Sequence, residues 1–127
     1  MARKIKIVTE ATGEVSAELI EDKSPKTAQA VWNSLPIEAR ANTWGDEIYF
    51  STPVKVQEEN SQATVGLGDL GYWPPGKAFC IFFGPTPVSR GAEIRPASPV
   101  NVFGRVIGDP RVFKKVQDGD KIRVERA

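Results

Sequence analysis

Two short segments of the chain carry the side chains best suited to bind a ligand. Trp44, Glu47 and Tyr49 lie close together in the first, and Tyr72-Trp73-Pro74-Pro75 forms the second. Aromatic rings bind flat, weakly polar molecules and proline rings, and a tryptophan held beside prolines loses little entropy when a ligand arrives. The pattern therefore favours a site for a small planar ligand or a proline-containing peptide. The alternative is a rigid, well-packed corner with no ligand.

The residue types exclude several kinds of catalysis. The chain has no histidine and one cysteine, which excludes Ser-His-Asp and Cys-His hydrolysis and the common zinc sites. Asp46 and Glu47 are adjacent, so on a strand they would point to opposite faces and make a poor acid–base pair. Cys80 lies among apolar residues and is interpreted as a buried, inert thiol. The sequence thus identifies no catalytic residue, and we expect neither a metal nor a cofactor.

One segment resembles a nucleotide-binding motif but lacks the helix that such a motif requires. Residues 66–71 read G-x-G-x-x-G, but that fingerprint requires the loop to open a helix whose N-terminus binds the pyrophosphate. Pro74-Pro75 follows and blocks a helix at this point. The glycines are interpreted as the bent end of a strand.

Local patterns predict the elements that must position these side chains. Alternation predicts a hairpin over residues 3–20, and Ser24-Pro25 predicts the capped start of a helix that Pro36 ends. Further strands are predicted over residues 37–44, 47–51, 54–56, 62–67, 78–83, 100–107 and 121–124, with a short helix at 111–116 and a long loop at 85–99. These elements predict a mainly β fold, a closed β-barrel of about eight strands with one main and one short α-helix.

The predicted strands assign faces to the candidate residues. Alternation places Ile48 and Phe50 on one face of a strand, and Glu47 and Tyr49 on the other. The second face either packs under a loop or faces a binding site, and the loop at 85–99 is either a flap over that site or a surface excursion. The remaining candidate contacts to a ligand are Phe82, Ser98 and Asn101; the Asn101 amide could instead satisfy loop backbone.

Composition limits the remaining possibilities. The 127 residues predict a single domain, residues 1–127. A net charge of +1 gives no reason to expect nucleic acid. No apolar run is long enough for a membrane span, and the N-terminus lacks a signal-peptide pattern, so a cytoplasmic location is expected. Acids cluster over residues 46–69 and bases over 111–126. They are either interaction faces or solvated surface, and Glu58-Glu59 is interpreted as solvent-facing. The oligomeric state stays open.

Three segments, in chain order, resemble cyclophilins. Ser24-Pro25-Lys26-Thr27-Ala28 is similar to the P-K-T-A that opens the first cyclophilin helix, and Phe79-Cys80-Ile81-Phe82 to an apolar strand of that family. Residues 100–106, VNVFGRV, resemble its V-V-F-G-K-V strand. Residues 42–53, 71–77 and 96–98 resemble small prokaryotic cyclophilin-like proteins of uncharacterised function. The resemblance implies a cyclophilin-like eight-stranded barrel.

The resemblance also implies an activity to weigh. Cyclophilins lower the barrier to prolyl isomerisation, about 18–20 kcal/mol, with an arginine, an apolar pocket for the proline, and a tryptophan and a histidine at its rim. In this chain Phe50-Ser51-Thr52 lacks that arginine, Cys80 lies near the position of a pocket phenylalanine, and Val100 replaces the histidine. Arg40, Arg90 or Arg95 would have to replace the arginine.

Three functions follow from the sequence, and they are ordered by how well it supports them. The first is a binding domain that holds a proline-containing peptide or small planar ligand in an aromatic pocket. The second is a weak peptidyl-prolyl isomerase with non-standard catalytic residues. The third is a non-enzymatic protein-interaction domain.

Overall fold

The computed structural model describes residues 3–127, which form one antiparallel sheet, one α-helix and two short 3-10 segments. The strands are β1 Arg3–Thr9, β2 Gly13–Leu19, β3 Ile37–Arg40, β4 Asn42–Thr43, β5 Glu47–Ser51, β6 Asp69–Trp73, β7 Ala78–Phe82, β8 Asn101–Val106 and β9 Lys121–Arg126. The helix α1 spans Pro25–Ser34, and the 3-10 segments span Pro74–Gly76 and Pro110–Lys115.

The sheet curls into a nearly closed barrel. Its strand order is β3-β9-β1-β2-β8-β6-β7-β5-β4. The two edge strands, β3 and β4, are separated in the sequence only by Ala41, so the edges of the sheet lie close together. The predicted mainly β barrel with one main helix is therefore confirmed. It has nine strands in the described range, one more than the prediction, and the short helix predicted at 111–116 is a 3-10 segment.

The region between residues 52 and 77 differs most from the sequence prediction. Residues 54–56 form no strand, and within 62–67 only Gln62 and Val65 make isolated bridges. The segment that contains Gly71 and Trp73 is instead the strand β6, which pairs with β7 and β8. Glycine and proline disfavour strands locally, but pairing on both sides overrides that preference. Residues 69–71 belong to this strand and residues 66–68 lead into it, so the segment opens no helix.

Both faces of the barrel wall are buried along β7. Phe79 and Ile81 point into the barrel, where the Phe79 ring stacks on Phe50 at 5.0 Å and meets the edge of Phe103 at 5.1 Å. Cys80 and Phe82 point outward into a second apolar cluster. Because both faces are covered, the strand reads as the continuous apolar run that the sequence shows. The outer cluster contains Ala78, Cys80, Phe82, Ile94 and Val100, with Tyr49, Val65, Trp73 and Val102 at its margin.

The helix α1 begins at a cap that comes from a distant loop. The Ser24 side chain makes no cap hydrogen bond; its hydroxyl donates to the backbone oxygen of Glu59. The Glu59 carboxylate accepts hydrogen bonds from the backbone N–H groups of Lys26 and Thr27, at 3.0 and 2.9 Å. Ser24 occupies the N-cap position as predicted, but the expected cap by its side chain is wrong, and so is the prediction that Glu59 only faces solvent.

A helix that crosses a membrane must be both long and apolar. None of the helices within residues 3–127 combines the length and apolar character needed to cross a membrane.

Candidate functional site

A cavity of about 160 Å³ lies on the outer face of the barrel, above β5 and β7. Its walls are mainly apolar and aromatic and include one carboxylic acid. The lining residues are Trp44, Glu47, Tyr49, Trp73, Cys80, Pro96, Ala97 and Val100. We call this cavity the outer pocket.

Strand register sets the floor of the outer pocket. Glu47 and Tyr49 alternate with inward-facing residues along β5, so both point outward. Tyr49 pairs with Cys80 across the β5–β7 ladder, and Trp73 pairs with Ala78 at the end of the β6–β7 ladder. The prediction that Glu47 and Tyr49 share one face, opposite Ile48 and Phe50, is confirmed.

Trp73 is held in place at one side of the outer pocket. Its indole Nε1 donates a hydrogen bond of 2.6 Å to the hydroxyl of Ser98. A Cβ at Gly76 would lie 2.7 Å from the indole ring, so the turn after β6 approaches the ring as only glycine can. The polar edge of the indole is therefore occupied, and its carbon surface remains for the cavity.

The loop over residues 85–99 contributes Pro96 and Ala97 to the lining of the outer pocket. The Ser89 hydroxyl accepts hydrogen bonds from the backbone N–H groups of Thr86 and Arg95, at 2.9 and 3.1 Å. The Thr86 hydroxyl donates to the backbone oxygen of Arg95. These hydrogen bonds hold residues 86–95 of the loop together, and the loop covers the outer face of the sheet.

Glu47 is the unusual group in the outer pocket. The residue is only 6% exposed, and its Oε1 atom has no hydrogen-bond partner among the described residues. Burial raises the pKa of its carboxyl to about 7, and the Cys80 thiol beside it opposes part of that rise. Burial, reinforced by the nearby Glu47 carboxylate, raises the pKa of Cys80 well above its ordinary value. The pocket therefore contains a buried acid that keeps one oxygen available as a hydrogen-bond acceptor.

The structure separates the nine predicted site residues into three groups. Trp44, Glu47, Tyr49 and Trp73 line the outer pocket. Phe50 and Tyr72 point into the barrel instead, where the Tyr72 hydroxyl donates a hydrogen bond of 2.6 Å to the backbone oxygen of Val54. They face the barrel core because alternation turns them away from Tyr49 and Trp73.

The last three predicted residues lie outside the pocket lining. Phe82 packs in the outer cluster, and Ser98 accepts the Trp73 hydrogen bond. Asn101 is fully buried, and its amide joins β8 to α1 and the loop before β6. Its Oδ1 accepts from the Glu59 N–H at 2.9 Å, and its Nδ2 donates to Thr27 Oγ1 at 3.1 Å and Gln57 O at 2.9 Å. With its amide so occupied, Asn101 acts as a structural residue.

Four lining residues were not predicted: Cys80, Pro96, Ala97 and Val100. The signal for two of them was the cyclophilin resemblance, which aligned Cys80 and Val100 with pocket positions of that family. Pro96 and Ala97 had no local signal, because their contribution depends on how the loop folds over the sheet. Within residues 3–127, no three or more Asp, Glu or Cys side chains come together as a metal site would require.

The fold and the pocket define an antiparallel barrel that carries a small aromatic cavity on the outside of its wall. The sequence profile of the family described as Cyclophilin-like matches residues 3–125. The chain therefore belongs to the cyclophilin-like family, which confirms the resemblance seen in the sequence.

A solved structure supports the same assignment. The chain is similar to the hypothetical protein AF2241 from Archaeoglobus fulgidus, whose solution structure superposes with a TM-score of 0.84 at 50% sequence identity. The match covers 99% of this chain and 95% of that one. No curated protein matches the chain.

Proposed function

We propose that this protein is a binding domain that holds a small planar ligand in the outer pocket. The observation that carries the proposal is an apolar, aromatic-lined cavity of about 160 Å³ that contains a buried, unpartnered carboxyl oxygen. An apolar cavity of roughly 150 Å³ is enough to admit benzene. The size of the outer pocket therefore fits one ring with a short substituent.

A proline ring of a peptide would also fit this volume, but its chemistry suits the pocket less well. The amide of an Xaa-Pro bond has no N–H, so it cannot donate a hydrogen bond to Glu47. A planar ligand with its own N–H or O–H group can do so, and an unsatisfied buried acceptor costs roughly 1–3 kcal/mol. This difference favours the planar ligand.

Prolyl isomerisation has less support, because no arginine of the described chain lines the outer pocket. The Arg95 side chain is paired with Glu93, with a hydrogen bond of 2.6 Å from Nε. The Arg40 side chain donates to the backbone oxygen of Gly119 at 3.1 Å. A protease-coupled isomerisation assay on Xaa-Pro peptides provides a direct test, and a rate above the uncatalysed one would favour the isomerase.

A protein-interaction domain also has less support, because its expected acidic surface is not continuous. The acids of residues 46–69 are used separately: Glu47 is buried, Glu59 caps α1, and Asp46 lies 3.9 Å from Lys114. These three acids do not form one exposed acidic surface.

Tryptophan fluorescence tests the proposed binding. Trp44 and Trp73 line the outer pocket, whereas Trp32 lies on α1 against Arg126, 4.5 Å from its ring. In a titration with single-ring compounds and Xaa-Pro peptides, we expect a saturable change with at least one ring compound. The Trp32→Phe variant should retain this change, and the double variant Trp44→Phe/Trp73→Phe should lose most of it. If no compound changes the fluorescence of the wild-type protein or raises its melting temperature, the proposal is wrong.

A further inference from the structure

We propose that Glu47 makes the outer pocket selective for small organic cations, such as a ring that carries an amidinium or ammonium group. The N–H groups of the cation would bind the Glu47 carboxylate, and its apolar part would lie against Trp44, Tyr49 and Trp73. This inference rests on the proposed function and specifies the chemical class of its ligand.

The first argument is the charge balance of the cavity. The outer pocket is lined by a carboxylic acid and by no lysine or arginine from the described chain. Glu47 also takes part in no salt bridge there, unlike Asp46 next to it, which lies 3.9 Å from Lys114. A buried carboxylate is costly unless it is paired and hydrogen-bonded. The missing positive charge is therefore one that a ligand can supply.

The second argument is the aromatic lining. Trp44, Tyr49 and Trp73 surround the same cavity as Glu47. The faces of aromatic rings carry partial negative charge and attract cations, most strongly where water is excluded. The Trp73 Nε1–H is bonded to Ser98, so this lining donor is already occupied. Rings and carboxylate together favour positive charge in the cavity.

The third argument compares a cation with a neutral ligand that can only accept hydrogen bonds. A neutral ligand that offers only a hydrogen-bond acceptor, such as a carbonyl, would need Glu47 to carry a proton and donate it. A cation would need Glu47 ionised. The two classes therefore predict opposite effects of pH on affinity, and the sign of that effect identifies the class.

Few other groups can contribute to this pH effect. The Cys80 thiol faces Glu47 from β7, and burial raises the pKa of that thiol well above its ordinary value. Tyr49 on β5 is the other titratable side chain of the lining, since the loop contributes Pro96 and Ala97. Asp46 and Lys114 are charged neighbours outside the lining. Glu47 is thus the group expected to change charge near neutral pH.

The test uses pairs of compounds with the same shape and different charge. Benzamidine is compared with benzamide, and benzylamine with benzyl alcohol, by calorimetric titration of the full chain at pH 8. We expect each cation to bind at least about tenfold more tightly than its neutral partner, since charge-assisted hydrogen bonds are roughly twice as strong as neutral ones. The variant Glu47→Gln should lose this preference, so that each cation binds no more tightly than its neutral partner.

A second measurement needs no variant. Because the cation competes with a proton, its affinity for the wild-type protein should fall by about tenfold for each pH unit below the pKa of Glu47, about 7. Equal affinity within each pair, tighter binding of the neutral compounds, or a rise of cation affinity at low pH would overturn the inference. If none of the four compounds binds, cation selectivity is rejected. The wider panel of ring compounds then decides the proposed function separately.

Discussion

Glu47 combines two properties that rarely occur together in a small barrel protein. Its carboxyl is almost fully buried, and one of its oxygens has no partner in the described structure. Buried acids are usually paired or bonded to backbone groups. A buried acid in a cavity with one oxygen unpartnered within residues 3–127 supports the proposed role of Glu47 towards a ligand.

The same burial predicts a pH-dependent stability. The pKa of Glu47 is about 7 in the folded protein, against an ordinary 4.5. The folded state therefore holds this proton more tightly than the unfolded state, so stability falls as pH rises from about 4.5 to 7. The loss is on the order of 3 kcal/mol, since one pKa unit corresponds to about 1.4 kcal/mol.

The variant Glu47→Gln should remove this dependence. Its stability relative to the wild-type protein should be greater at pH 8 than at pH 5, by up to the same ~3 kcal/mol. Urea unfolding at the two pH values measures the difference. Glu58→Gln, on the exposed neighbouring loop, serves as the control with no such change. An equal effect of Glu47→Gln at both pH values would contradict the assignment.

At the scale of the element, the start of α1 depends on a residue far along the chain. The Glu59 carboxylate accepts hydrogen bonds from two backbone N–H groups of the first turn and from the Thr27 hydroxyl. Partial burial raises the pKa of Glu59, but these hydrogen bonds and the Lys26 charge outweigh it, so the net pKa is lowered. The loop at residue 59 and the helix thus stabilise each other.

Removing this cap should destabilise the protein. We expect Glu59→Ala to lower the free energy of unfolding by about 1–2 kcal/mol at pH 7, the usual cost of a lost helix cap. Because the pKa of Glu59 is lowered on folding, its contribution is present above the ordinary 4.5 and is lost as pH falls further.

Chemical unfolding of the variants measures this effect. The matched control is Glu58→Ala, since Glu58 is the exposed neighbour on the same loop and should change stability little. Equal effects of the two substitutions would show that the Glu59 cap contributes nothing specific.

At the scale of the whole molecule, the barrel wall carries one apolar layer inside and another outside. Where β6 and β8 meet, Gly71 leaves room for Val100 of the outer layer. A Cβ at Gly71 would lie 2.8 Å from Val100 Cγ2 and 3.2 Å from Phe82 Cε2. The outer layer therefore packs directly on the backbone of β6.

The variant Gly71→Ala should accordingly be destabilised by about 1–3 kcal/mol, the usual cost of overpacking. Gly66→Ala is the control, because a Cβ there would make only an ordinary contact of 3.4 Å with Asp69. Thermal or urea unfolding of both variants measures the difference. Equal stability of the two would mean that the outer layer can move away from the sheet at little cost.

Several features of the fold were predictable from local patterns. Alternation over residues 47–50 assigned the correct faces of β5, and the apolar run at 78–83 marked a strand buried on both sides. Glu47, Tyr49, Trp44 and Trp73 could be proposed for a site because their residue types suit ligands. These inferences depend on neighbours in the chain, which the sequence displays directly.

Other features had no local signal. No strand was predicted at β6, because glycines and prolines surround it. Its identity as a strand comes from pairing with β7 and β8. The Glu59 cap joins residues that lie 33 and 32 positions apart in the chain. Phe50 and Tyr72 were assigned to the site because they are aromatic, yet strand register turns them into the core.

The sequence by itself determined the class of this protein: a mainly β, cyclophilin-like barrel with one main helix and no histidine chemistry. Only the tertiary structure decided that Pro96 and Ala97 share a cavity with Trp44, Glu47, Tyr49 and Trp73, and that Glu47 is buried there with one oxygen that has no partner among the described residues. The physical reason is the distance along the chain over which each kind of information acts. Periodicity and residue type report the preferences of a short segment, whereas a cavity and the pKa of an acid within it depend on segments that meet only after folding.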